Sequence, residues 1–160
     1  MLRYLARPAV LAVAALLLAL SACRVTDMAI WSPTDRLGAE PCAVTVIRDI
    51  VYRPGPEKDE YRRRLDLYLP AGQHDFPVVV LVHGGCWLLG DNRCCGLYSS
   101  VGQFLASAGI GAVLPNYRLS PGVKHPAHIQ DVAKAVAWTK QHIAEYGGRP
   151  APLFLVGHSA

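Results

Sequence analysis

Two segments in the first half of the chain have the hydrophobic pattern of β-strands. Residues Val44–Val51 are rich in β-branched side chains, which favour extended backbone. In the segment 64–70, leucine then alternates with Arg, Asp and Tyr. This period of two predicts a strand with one face towards solvent. Pro70 and Gly72 indicate where it ends.

Three later segments, 78–82, 110–114 and 153–156, are continuously apolar. Such runs are typical of parallel strands buried on both faces. Helical patterns separate them over 97–108 and 127–146, and the second has apolar residues at helical spacing: Ile129, Val132, Val136 and Ile143. Strands that alternate with helices predict an α/β fold, with a mostly parallel central sheet and helices on both faces.

The first 22 residues differ from the rest of the chain. Arg3 and Arg7 precede an apolar run over 9–20, which is shorter than the roughly 20 residues of a membrane span. This is the pattern of a secretory signal. The sequence 20–23, Leu-Ser-Ala-Cys, also resembles a bacterial lipobox. The resemblance implies cleavage before Cys23 and lipid attachment to it.

The chain therefore divides into a lipoprotein signal over 1–22, a lipidated tether over 23–43 and a folded α/β domain over 44–160. We expect the protein to be exported and anchored to the cell envelope by lipid. Arg24 follows the cysteine, and because no Asp stands there to indicate retention at the inner membrane, we expect the outer membrane.

Composition adds little to this picture. The chain has 160 residues and a net charge of +4, and its positively charged residues are scattered apart from Arg62-Arg63-Arg64. We interpret that triplet as a solvated turn or strand end, which is too small for a nucleic-acid-binding face.

The cysteines other than Cys23 are Cys42, Cys86, Cys94 and Cys95. They lack a histidine at zinc-like spacing, and outside the cytoplasm we expect a disulfide between Cys86 and Cys94 or Cys95.

The strongest chemical signal is Gly157-His158-Ser159-Ala160, directly after the apolar run 153–156. These residues match the start of the G-x-S-x-G nucleophile elbow, in which a tight strand-to-helix turn exposes the serine oxygen. Ser159 is therefore the candidate nucleophile, and the amide of Ala160 is a candidate oxyanion donor.

A second motif follows the apolar run 78–82. His83-Gly84-Gly85-Cys86-Trp87 resembles the H-G-G-G loop of lipases and esterases, whose glycines turn backbone N–H groups towards the developing oxyanion. We assign Gly84, Gly85 and Cys86 as candidate donors. His83 belongs to the same loop. Trp87 is interpreted as a wall of the acyl or alcohol pocket, with a plain core tryptophan as the alternative.

Together these motifs resemble the α/β-hydrolase carboxylesterases related to hormone-sensitive lipase, especially the feruloyl-esterase-like and prenylcysteine-methylesterase-like group. The resemblance runs over 44–160 and includes the segments 65–70, 116–121 and 144–148. Cys86 departs from the family pattern, because many relatives have a third glycine there. The resemblance implies acyl transfer through a serine, with no cofactor and no metal.

The remaining polar residues have simpler interpretations. Asn116-Tyr117-Arg118 is expected to fix the loop beneath the site, and Asp131 to interact with a helix dipole. In this fold the triad acid and base follow the serine. This order excludes Asp131 as the acid, and it excludes every histidine of the chain as the base: His74, His83, His125, His128, His142 and His158.

The sequence thus predicts a serine hydrolase of small carboxylic esters. Two alternatives remain: a serine peptidase of the same fold, and a non-catalytic hydrolase-like surface lipoprotein. We expect the chain to be the N-terminal part of a longer protein. Residues 24–160 alone are then expected to be inactive and to fold poorly. Ester specificity and oligomeric state are left open.

Overall fold

A computed structural model describes residues 41–56 and 59–159 of the chain. The signal, Cys23 and most of the tether lie outside the described residues. The described residues form a sheet of five strands: β1 (Val44–Val51), β2 (Arg64–Pro70), β3 (Phe76–Val82), β4 (Gly111–Pro115) and β5 (Gly148–Gly157). Two α-helices accompany it, α1 (Leu97–Ser107) and α2 (Ala127–His142), with short 3-10 turns at Tyr61–Arg63, Cys94–Gly96 and Ile143–Tyr146.

The strands lie in the order β1-β2-β4-β3-β5. β3 pairs in parallel with both β4 and β5, whereas the β1–β2 and β2–β4 pairs are antiparallel. Strand β3 therefore has a parallel neighbour on each side. Both chemical motifs follow this part of the sheet, because one begins where β3 ends and the other where β5 ends.

The two helices cover opposite faces of the sheet. Alternate residues of a strand point to opposite faces, and β4 divides accordingly: Val113 belongs to the cluster that includes Ala135 of α2, whereas Ala112 and Leu114 belong to the cluster that includes Ala106 of α1. Both clusters consist of fully or nearly fully buried side chains. The sheet thus has an apolar core on each side.

Strand β2 is buried on both faces, so the prediction that one face meets solvent is wrong. Tyr68 and Asp66 are 2% and 0% exposed. Helix α1 packs over Tyr68 in the second apolar cluster. Asp66 accepts two hydrogen bonds from Arg93, each 2.8 Å long, which offset the cost of burying a carboxylate.

Strand β5 lies at the edge of the described sheet. The continuous apolar run 153–156 is typical of a strand buried on both faces, and Phe154, Leu155 and Val156 are 52%, 60% and 45% exposed in the described residues. In the described part of the chain, β5 pairs with β3 along one edge and with no strand along the other. Its apolar character is therefore not matched by burial.

The predicted apolar stripe of the second helical segment is confirmed in part. Ile143 is 0% exposed and Val136 packs against the same core cluster, whereas Ile129 is 60% exposed. The buried residues of α2 itself are His128, Asp131, Ala135 and Thr139. The arginine triplet also differs from its prediction, because Arg63 is only 2% exposed and donates a hydrogen bond to the carbonyl of Pro56. The other positions of the triplet are half-buried. The turn is therefore packed rather than solvated.

Candidate active site

The candidate nucleophile lies just past the end of β5. The strand ladder ends with the pair Val82–Gly157, and the amide of His158 donates to the carbonyl of Val82 at 3.2 Å. Ser159 then has φ = 53°, in the left-handed region that non-glycine residues rarely adopt. Such strain is frequent at functional sites. The serine is exposed, as the elbow pattern predicts.

The loop after β3 folds back against this elbow. Gly85, Cys86 and Trp87 have φ values of 127°, 54° and 58°, and the carbonyl of Gly85 accepts hydrogen bonds from the amides of Leu88 and Leu89 at 3.0 and 3.1 Å. Three successive left-handed residues make a sharp reversal of the chain. A Cβ at position 85 would lie 2.1 Å from the carbonyl oxygen of Leu89, so this reversal requires glycine there.

The backbone amides of this loop have different partners. The amide of Gly84 donates to the hydroxyl of Tyr98 at 2.7 Å, and that of Gly85 donates to the carbonyl of Ser159 at 3.3 Å. The amide of Cys86 has no hydrogen-bond partner among the described residues. Of the three candidate oxyanion donors in this loop, Cys86 is thus the one whose amide is uncommitted. Ala160 lies outside the described residues, so its predicted role stays a prediction.

His83 is a buried anchor of the loop. It is 1% exposed, its Nδ1 lies 2.9 Å from the carbonyl of Gly84, and its ring stacks on Tyr117 with centroids 4.4 Å apart. Burial lowers the pKa of His83, although its hydrogen bond to the Gly84 carbonyl opposes this effect. The hydroxyl of Tyr117 donates to the carbonyl of His83 at 2.9 Å.

The segment 116–118 supports the loop from below, as predicted. The side-chain oxygen of Asn116 accepts from the amide of Asn92 at 2.8 Å, and the side chain of Asn92 donates to the carbonyl of Leu114 at 2.9 Å. From the other side, the guanidinium of Arg62 donates to the carbonyl of Gly90 at 2.6 Å. Sequence reasoning missed Asn92 and Arg62, and the only available signal was their nearness to the motifs.

Asp131, near the start of α2, is the centre of a buried ion cluster. It is 0% exposed, and the guanidinium of Arg118 binds its two oxygens at 2.7 and 2.9 Å. Arg53 also pairs with it. Burial alone would raise the pKa of Asp131, but hydrogen bonds and charge from Arg118, together with the charge of Arg53, hold the pKa below its ordinary value. This carboxylate holds α2 against the segment after β4.

An apolar pocket of about 320 Å³ opens beside the elbow. Its lining comes from the ends of β3 and β5, from the segments that follow β3 and β4 and from the first turns of α2: Val82, Trp87, Tyr117, His128, Ile129, Val132, Leu155 and Gly157. Trp87 is 50% exposed and therefore lines this pocket rather than the protein core. The volume lies within the usual range of small-ligand sites.

The cysteines are not paired in the way we expected. Cys42, Cys86, Cys94 and Cys95 are free thiols, so the disulfide predicted between Cys86 and Cys94 or Cys95 is not formed. The sulfurs of Cys94 and Cys95 are 3.6 Å apart, because these neighbours share one tight turn. In residues 41–56 and 59–159, no three His, Cys, Asp or Glu side chains are placed to hold a metal ion.

No helix of the described part is long and apolar enough to cross a bilayer.

Comparison with known proteins places this geometry among esterases. The model of the BD-FAE family matches residues 65–160. The chain is 36% identical over 116 residues to a probable isoprenylcysteine alpha-carbonyl methylesterase of Oryza sativa subsp. japonica, covering 72% of this chain and 25% of the relative. It is 43% identical over 98 residues to a probable carboxylic ester hydrolase of Mycobacterium tuberculosis, covering 61% of this chain and 22% of the relative. The chain thus spans about a quarter of the length of these relatives.

Solved structures agree with the sequence relatives. Esterase B of Lactobacillus rhamnosis superposes with a TM-score of 0.64 at 26% identity, covering 94% of this chain and 44% of that one. A hyperthermophilic esterase of the archaeon Pyrobaculum calidifontis superposes with a TM-score of 0.57 at 29% identity, covering 74% and 36%. These matches confirm the predicted α/β-hydrolase fold class.

Proposed function

Because the chain belongs to the BD-FAE family of α/β-hydrolases, we propose that the full-length protein is a serine carboxylesterase with Ser159 as its nucleophile. The observation that carries this proposal is the convergence of two loops from neighbouring parallel strands. The loop after β3 and the elbow after β5 meet where the amide of Gly85 contacts the carbonyl of Ser159 at 3.3 Å. The candidate nucleophile therefore lies beside the turn that carries the candidate oxyanion donors.

The proposed reaction is acyl transfer. The Ser159 oxygen attacks the ester carbonyl while a histidine, oriented by an Asp or Glu, takes the serine proton; in this fold both groups follow the serine. The carbonyl oxygen becomes an oxyanion, which the amide of Cys86 is free to stabilise together with that of Ala160. One such donor contributes about 2.7–4 kcal/mol in a serine hydrolase of another fold. The histidine gives the serine proton to the departing alcohol, which leaves an acyl-serine. Water then attacks the acyl-serine while the histidine takes its proton, and that proton returns to the Ser159 oxygen as the acid leaves.

The pocket beside the elbow indicates the substrate class. Its walls are mainly apolar and aromatic side chains, and its volume is about 320 Å³. These properties suit an acyl or alcohol group of modest size without charge. We therefore propose small, uncharged carboxylic esters as substrates.

The test is a comparison of the full-length protein with its Ser159→Ala variant on p-nitrophenyl acetate and butyrate. We expect kcat to fall on the order of 10⁴-fold or more, as for other nucleophile deletions. Ser100→Ala is the matched control, because its hydroxyl is exposed on α1 and bonds only the carbonyl of Gly96. Turnover in Ser159→Ala equal to that of the control would reject the assigned nucleophile, whereas no turnover in either protein would favour a non-catalytic module.

We also propose that the protein is exported and anchored to the cell envelope through a lipid on Cys23. The support is the signal pattern over 1–22 and the lipobox-like sequence that ends at Cys23. Labelled palmitate is expected to enter the wild-type protein but not Cys23→Ser, and Cys42→Ser is the control with an intact lipobox. Equal labelling of wild type and Cys23→Ser contradicts the proposal.

A further inference from the structure

Tyr98 connects the two loops of the candidate site through its hydroxyl group. It lies in the first turn of α1 and is 7% exposed. Its oxygen lies 2.7 Å from the amide nitrogen of Gly84 and 3.0 Å from Nδ1 of His158. Gly84 belongs to the loop after β3, and His158 immediately precedes the candidate nucleophile. One side chain therefore contacts both segments.

The direction of one of these hydrogen bonds follows from its chemistry. A backbone N–H can only donate, so the Tyr98 oxygen accepts the hydrogen bond from Gly84. The same oxygen forms a second hydrogen bond with Nδ1 of His158 at 3.0 Å. The Tyr98 hydroxyl thus joins the Gly84 amide to the His158 ring.

Within residues 41–56 and 59–159, few other hydrogen bonds join the two loops. The strand ladder ends at Val82–Gly157, and beyond it the direct backbone bonds are those from the His158 amide to Val82 and from the Gly85 amide to Ser159. Tyr98 adds a bond from a third element. Its ring packs in the apolar cluster between α1 and the sheet, so the hydroxyl is held on a rigid support.

We propose that Tyr98 is a positioning residue that sets the separation between the oxyanion loop and the nucleophile elbow. This inference rests on the proposed esterase function. Oxyanion donors must be held within about 0.5 Å of their productive positions. A tether that joins the Gly84 amide to His158 limits the movement of both loops. The tether therefore stabilises the transition state and does not contribute to substrate binding.

The test is Tyr98→Phe in the full-length protein, which keeps the buried ring but removes both hydrogen bonds. We expect kcat to fall about 10- to 100-fold, since a misplacement of about 1 Å can cost 10²-fold. KM should stay within about threefold, because the lost interaction acts only in the transition state. Affinity for a trifluoromethyl ketone, whose serine adduct carries an oxyanion, should fall in proportion to kcat/KM.

A second variant tests the other end of the tether. His158→Leu removes the ring nitrogen that contacts the Tyr98 hydroxyl. His158 is exposed, and the kcat of this variant should also fall. If both groups act through one tether, the double variant with Tyr98→Phe should be no slower than Tyr98→Phe alone, because coupled sites are not additive. If Tyr98→Phe does not fold, an unchanged kcat in His158→Leu overturns the proposal.

Tyr52→Phe is the matched control. Tyr52 is also buried, at 6% exposure, and its hydroxyl donates to the carbonyl of Asn116 at 2.8 Å, outside both loops. We expect a lower Tm in this variant with kcat and ketone affinity unchanged. The proposal is overturned if Tyr98→Phe keeps wild-type kcat and ketone affinity, or if Tyr52→Phe loses both to the same extent. Turnover that survives Ser159→Ala in the same assay contradicts the esterase mechanism itself, which is a separate result.

Discussion

The close approach of the Gly84 backbone to the nucleophile elbow makes this glycine a sharp test of the site. A Cβ at position 84 would lie 2.3 Å from the carbonyl oxygen of His158, 2.8 Å from that of Ser159 and 2.9 Å from the Ser159 Cβ. Two of these three neighbours are backbone atoms, which cannot turn aside as a flexible side chain can. Gly84→Ala must therefore separate the loop from the elbow.

The size of the effect follows from the distances. Unstrained contacts between carbon and a carbonyl oxygen begin at about 3.3 Å, so the 2.3 Å approach to His158 leaves a shortfall of about 1 Å. A displacement of about 1 Å at an active site can cost about 10²-fold in rate. At 1.36 kcal/mol for each factor of ten, this corresponds to about 2.7 kcal/mol of transition-state stabilisation.

The assay is kcat/KM on p-nitrophenyl butyrate, with thermal unfolding measured in parallel. Gly72→Ala is the control, because Gly72 has φ = 70° and nothing within 4 Å of an added Cβ. It follows β2, which runs antiparallel to β4, and so lies at the opposite end of the sheet. Gly72→Ala should cost on the order of 1 kcal/mol in stability without loss of rate. A Gly84→Ala protein with kcat/KM within threefold of wild type would refute this reasoning.

Two further predictions concern buried charge. Asp131→Asn should lower the free energy of unfolding by about 3–5 kcal/mol, because it leaves the guanidinium groups of Arg118 and Arg53 unpaired. Asp75→Asn is the control, since its side chain is 81% exposed, and it should change the free energy of unfolding by less than about 0.5 kcal/mol. Equal losses of both variants in urea unfolding would contradict the buried ion cluster. Burial lowers the pKa of His83 in the folded protein, so the unfolded state takes up the proton first as pH falls, and stability should decline below about pH 6.5 and level off beneath the folded pKa. Urea titrations from pH 7.5 to 5.5 measure this slope, which His83→Asn should reduce; identical slopes in both proteins would contradict it.

The strands and helices of this fold could be predicted from the sequence because their signals are local. The β-branched content of 44–51 predicted β1, and alternation or continuity of apolar residues predicted the other four strands, although β5 begins at Gly148, before the predicted run 153–156. Helical spacing predicted α2. Burial could not be predicted in the same way. Tyr68 appeared to face solvent, yet α1 covers it so closely that a Cβ at Gly102 would lie 2.8 Å from its ring. Which face is covered depends on the packing of distant segments.

The candidate site also has a part that could be predicted from the sequence and a part that could not. Its two motifs could be identified because each is a short run after an apolar strand, and the pattern itself carries the backbone requirement. The residues that support the motifs have no comparable signal. Tyr98 meets Gly84 across 14 positions of sequence and His158 across 60, and Asn116 meets Asn92 across 24. No periodicity predicts contacts of this kind.

The reason lies in where the sheet stops. The ladder between β3 and β5 ends at Val82–Gly157, and every candidate catalytic group lies one to four residues beyond that pair. Their positions must therefore be set mainly by polar contacts, such as the bonds from Tyr117 to the His83 carbonyl and from the Gly84 amide to Tyr98. A buried polar group left without a partner costs about 1–3 kcal/mol, so each alternative loop conformation that breaks one of these bonds is disfavoured. The apolar pattern specifies the sheet, and the buried hydrogen bonds specify the site.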